Sequence, residues 1–148
     1  MLLAYILLGS SALLMVVQDV RTHTIPLIGL VIFAGASLYA HLLTPGVEGL
    51  WVGGLIFLLF MACQGIFYLL KRECAVGWGD AILSPLCGLW FHFHEMPLYL
   101  VSTGLFALLT GLFWHYRWQL KTFPMVPALL LGLSFVLLIR CFLIGDGI

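Results

Sequence analysis

The chain has 148 residues, 64% of them hydrophobic and only 8% charged, against roughly 25% charged in a soluble globular domain. Six basic and six acidic side chains cancel, so no basic face is available for a run of phosphates and nucleic-acid binding is excluded. A mean hydropathy of +1.18 makes lipid the expected solvent.

The first apolar run, Leu2 to Val17, has no basic segment before it and no small-residue cleavage site, so it reads as a retained span rather than a cleaved signal peptide. After Gln18-Asp19-Val20-Arg21-Thr22-His23-Thr24, a second run extends from Pro26 to Leu43. Pro26 suits a first helical turn, where its missing N–H is not needed. Thr44-Pro45-Gly46 separates this run from a third, Leu50 to Leu70, which stops at Lys71-Arg72-Glu73. Gly77-Trp78-Gly79-Asp80 then precedes a shorter run, Ala81 to Phe91, interrupted by Pro85 and Gly88. A fifth run covers Pro97 to Trp114, and a sixth covers Met125 to Ile144 behind Pro124.

Six crossings of a hydrocarbon core about 30 Å thick need about 120 helical residues. That leaves only short loops, so the expectation is one transmembrane domain over residues 1–148 with no separate soluble domain. The runs are too uniformly apolar for alternating barrel strands, and helices satisfy their own backbone in lipid. The predicted fold class is therefore an all-α polytopic membrane protein with six transmembrane helices. Arg21, Lys71, Arg72, Arg117 and Lys121 fall in the first, third and fifth loops, while the second and fourth carry no Lys or Arg. The positive-inside rule then makes the first set cytoplasmic and both termini external, N-out/C-out. Arg140 is expected to snorkel outward towards Asp146.

Cys63, Cys74, Cys87 and Cys141 form no CxxC pair and no zinc spacing, so they read as small hydrophobes or loop residues. His92, His94 and Glu95 have the residue types of a divalent-metal site, but loop histidines at a headgroup boundary are commoner and no metal is expected. Glu95 reads as a solvated loop residue. Gly29, Gly35, Gly53, Gly54, Gly104 and Gly111 read as positions of close helix packing.

Asp19, at the end of the first span, and Asp80, at the start of the fourth, are expected at one depth on the cytoplasmic side. Each has an ordinary structural reading: Asp80 as a helix N-cap, Asp19 as the partner of Arg21. As a pair they have a chemical one. Two neighbouring carboxylates cannot both ionise easily, so one keeps its proton while the other acts as general base on water, the arrangement of an aspartic protease. Gly77 and Gly79 leave backbone bare beside Asp80, where an extended substrate has room to bind.

Three segments in this order resemble the type IV prepilin peptidases, of the GxGD group of intramembrane aspartyl proteases. Asp19-Val20-Arg21-Thr22-His23-Thr24-Ile25-Pro26 is similar to the family's first motif, and Gly77-Trp78-Gly79-Asp80 to its GxGD segment. Phe123-Pro124-Met125-Val126-Pro127-Ala128-Leu129 is similar to the proline-containing start of its last helix. The resemblance covers almost the whole chain and implies Asp19 and Asp80 as catalytic residues, with Gly77 and Gly79 as the substrate-binding loop. It implies leader removal from prepilin-like protein substrates at the cytoplasmic face of a bacterial inner membrane, the chain being multi-pass and surrounded by lipid. The chain departs from the family at Leu27, where Asn is usual, and at Ile82, where Lys is usual. The first loop lacks the cysteine-bearing domain of the bifunctional members, so neither zinc nor S-adenosylmethionine is expected as a cofactor. The alternatives are a catalytically degenerate relative and a non-enzymatic assembly factor for a pilus or secretion system. A carrier is disfavoured because its mid-helix positions would need polar groups.

Overall fold

Backbone in lipid has no water to bond to, which leaves the helix as the conformation these apolar runs can adopt. The computed structural model describes residues 2–43, 47–71, 77–118 and 124–143. Among them are six α-helices and no strand: α1 Leu2–Thr22, α2 Leu27–Leu43, α3 Glu48–Lys71, α4 Trp78–Gly88, α5 Met96–Trp118 and α6 Val126–Leu143. A 3-10 turn, Phe93–Glu95, leads into α5. Arg72, Cys74, Lys121, Phe123 and Asp146 lie outside the described residues.

Three stretches are long and apolar enough to cross a membrane: Leu3–Thr22, Glu48–Leu70 and Phe93–Arg117. They mark the chain as a membrane protein. Leu27–Leu43 and Val126–Phe142 are shorter apolar helices. The expected fourth span is the element that departs furthest from a full crossing. With 11 residues, α4 rises about 16 Å, half of a core about 30 Å thick. The outer surface also fits lipid, since Leu69, Tyr116 and Phe142 are among its exposed side chains while Ser11, Ser37, Ser84 and Ser102 are buried.

The helices pack as three consecutive pairs, α1 on α2, α3 on α4 and α5 on α6, with α4 and α6 joining the pairs. Glycines set the closest approach. A Cβ on Gly53 would stand 2.7 Å from the Pro85 carbonyl oxygen, and one on Gly49 2.7 Å from that of Leu89. Gly49 and Gly53 thus form a G-x-x-x-G face that lets α4 backbone touch α3. Gly29 instead makes room for a side chain of α1, Met15 Cγ, 2.8 Å from its missing Cβ position. Gly35, Gly54 and Gly104 do not share this role, having nothing within 4 Å of the Cβ position.

At the end of the bundle away from Asp19, the Trp90 indole N–H donates to Ser37 Oγ at 2.9 Å. Arg140 Nε donates to Glu95 Oε1 at 2.7 Å, its Nη2 donates to the Trp90 carbonyl at 2.9 Å, and the same Nη2 pairs with Glu95 Oε2. Glu95 is buried rather than a solvated loop acid, and Arg140 turns to it instead of reaching outward. The register explains this: Leu89 lies against Gly49, so α4 ends level with the beginning of α3, and the 3-10 turn that follows brings Glu95 to Arg140 of α6, where a buried carboxylate needs a cation.

Candidate active site

The site begins with the way α1 ends. The apolar run stops at Val17, but the helix continues to Thr22, so Asp19 lies within its last turns rather than in a loop. His23 terminates it at φ 52, and the His23 N–H donates to the Asp19 carbonyl at 2.9 Å. This is the left-handed closing bond of a helix C-terminus, held by a histidine where glycine is usual. On the helix surface Asp19 follows Ser11 and Met15 along the buried face. Its carboxylate therefore points into the bundle, while Arg21 is exposed. The expected Asp19–Arg21 pair is not made.

What Asp19 meets is the start of α6. Among the first-turn positions of that helix, Pro127 has no N–H, and Ala128 and Leu129 donate to the Met125 carbonyl at 3.0 and 3.2 Å. Val126 N–H remains, and it donates to Asp19 Oδ2 at 3.0 Å. Asp19 thus caps a helix that begins 107 positions later in the chain, adding negative charge where the helix dipole favours it. The sequence carried a partial signal for this contact in the prolines at 124 and 127, which leave Met125 and Val126 as the two N–H donors between them.

Asp80 comes from α4. Gly77, not Asp80, is the N-cap, with extended backbone at φ −65 and ψ 144. Asp80 is the third residue of the helix, and its Oδ2 folds back to within 3.1 Å of where a Gly77 Cβ would stand. Gly77 therefore gives the carboxylate room. Gly79 serves a different contact, because its missing Cβ position lies 2.7 Å from Ile25 Cδ1 and 3.2 Å from Ile25 Cβ. The residue before Pro26 packs flat on the first turn of α4, so two of the motifs noted in the sequence meet directly. Bare backbone in extended form is found at Gly77, while Gly79 is helical and covered on this side.

Asp19 and Asp80, 61 positions apart in sequence, come close enough for the charge of one to act on the other. Asp19 is buried and Asp80 is partly buried. Around them converge the C-terminal turn of α1 and the N-termini of α4 and α6. Their depth follows from helix register. Because Gly53 lies against Pro85, the start of α4 falls opposite about residue 60 of α3, and α3 continues for roughly 15 Å beyond it. Thr103 fills the space beside Gly132, which places Val126 some two turns short of the end of α5. The carboxylates are thus set back from the ends of the two long helices.

This arrangement pairs two carboxyl groups with helix N-termini in a largely apolar bundle. It is suited to moving one proton between two oxygen acids and a water. Among the described residues no three His, Cys, Asp or Glu side chains are grouped to hold a metal. His92 stacks on His94, with ring centroids 5.7 Å apart, and its Nδ1 lies 3.0 Å from Glu48 Oε2. Glu95 faces Arg140 instead. Comparison with protein-family models, with curated proteins and with solved structures returns no match.

Proposed function

We propose that the chain is an intramembrane aspartic endopeptidase with Asp19 and Asp80 as its catalytic pair. The observation that carries this reading is their convergence, from helices distant in sequence, beside the N-termini of α4 and α6. One carboxylate takes a proton from water, whose oxygen attacks the scissile carbonyl. The other, protonated, polarises that carbonyl and helps deliver a proton to the leaving amine. Substrate backbone has access at the extended Gly77. The resemblance in the three segments directs the reading further, to leader removal from type IV prepilin-like precursors. The membrane is then the bacterial inner one and the chain multi-pass, with the Asp19–Asp80 end cytoplasmic. Arg21, Lys71 and Arg117 belong to that end by sequence, in keeping with the positive-inside rule.

A second reading has one specific observation in its favour. The bond from Val126 gives Asp19 a structural task, and a non-catalytic assembly factor would keep it for that alone. Co-expression with prepilin-like substrates separates the two. The peptidase reading expects a leader-removal shift on gels that disappears in both Asp19→Asn and Asp80→Asn while both variants remain folded. Processing that survives either substitution removes the catalytic pair. Absence of processing of every substrate by the wild-type chain favours the assembly factor.

A further inference from the structure

One flank of α1 is unused by the carboxylate site. Ser10, Leu13, Leu14, Val17, Gln18, Arg21 and Thr22 line an open groove of about 490 Å³ along it. The groove is apolar in its middle and polar at both ends. Ser10 closes one end with its hydroxyl bonded back to the Leu7 carbonyl at 3.1 Å. At the other end Thr22 Oγ1 donates to the Gln18 carbonyl at 3.0 Å, which leaves the exposed Arg21 guanidinium as the charged group able to meet a ligand, beside the Gln18 side-chain amide.

We propose that this groove holds one anionic phospholipid, its phosphate against Arg21 and an acyl chain along Leu13, Leu14 and Val17. Three observations carry the assignment. From Ser10 to Arg21 the helix rises about 17 Å, close to the depth of one leaflet of a hydrocarbon core about 30 Å thick. The cation stands at the end of α1 where a headgroup would lie, and the apolar residues lead from it towards the bilayer centre. Its charge is also uncommitted: Asp19, two residues away, turns to Val126, and among the described residues Arg21 makes no ion pair. A guanidinium matches phosphate oxygens in charge and in forked donor geometry. The groove residues do not include Asp19 or Asp80, so the site is independent of peptidase activity.

The test is native mass spectrometry of the detergent-solubilised full chain titrated with phosphatidylglycerol and, separately, phosphatidylcholine. The wild type is expected to retain phosphatidylglycerol about fivefold more strongly, as one cation near a membrane surface provides. Arg21→Gln should abolish that preference. Val17→Trp, which fills the apolar part, should reduce retention of both lipids, and Arg117→Gln, outside the groove, should leave the preference intact. Unchanged thermal melting of Arg21→Gln, an exposed position, shows that the fold is kept. A preference that survives Arg21→Gln, or that Arg117→Gln abolishes equally, overturns the proposal. So does an apolar helical peptide that displaces lipid equally from the wild type and from Arg21→Gln, which would assign the groove to a helix.

Discussion

Val126 N–H donates to Asp19 Oδ2 at 3.0 Å, both residues buried, and this bond ties the end of the first helix to the start of the last. The same carboxylate is a member of the proposed catalytic pair, so structure and chemistry compete for it.

Substitution separates these two roles. Asp19→Asn keeps an oxygen for Val126 and should lose peptidase activity with little change in stability. Asp19→Ala leaves the buried donor unpaired and should cost a further 1–3 kcal/mol, roughly. Thermal melting in detergent beside leader cleavage reads both effects. Equal stability of the two variants would contradict the capping role.

The contact between Ile25 and Gly79 makes the two motifs interdependent. Gly79→Ala places a methyl group 2.7 Å from Ile25 Cδ1, an overpacking worth about 1–3 kcal/mol. Adding Ile25→Ala should restore part of that loss. A double variant no better than Gly79→Ala alone, by melting temperature, would show that the clash is not with Ile25.

Neighbouring glycines in α3 should respond in opposite senses. Gly53→Ala drives a methyl into the Pro85 carbonyl and should destabilise by about 1–3 kcal/mol. Gly54→Ala meets open space and gains helix propensity, up to about 1 kcal/mol. Chemical denaturation of each in the same detergent distinguishes them, and matching losses would place α4 elsewhere.

At the opposite end, the Arg140–Glu95 pair should reveal itself through its halves. Arg140→Met leaves a buried carboxylate alone and should cost about 3 kcal/mol, the lower part of the usual range because the Arg140 side chain keeps 26% exposure. The double variant Arg140→Met with Glu95→Leu should recover most of it. A purely additive double-mutant cycle would mean that the pair has no coupling.

The helices are legible in the pattern of apolar runs alone, because runs of this length have no other way to satisfy their backbone in lipid. The same pattern marked Asp19 and Asp80, since carboxylates at the ends of such runs stand out against so few charges. Side-chain direction was beyond its reach. Asp19 faces inward because α1 continues past the apolar run and brings position 19 onto the buried face with Met15. Arg21 faces outward for the same reason. Glu95 looked solvated because its partner Arg140 lies 45 residues away, and its burial depends on how the turn after α4 meets α6. The roles of Gly77 and Gly79 likewise diverged only once the fold set Asp80 against one and Ile25 against the other. Local pattern fixes where a helix can form and which residues are costly in lipid. Which of those residues meet depends on register and rotation between helices, and here that is decided by tertiary contacts at Gly29, Gly53 and Val126.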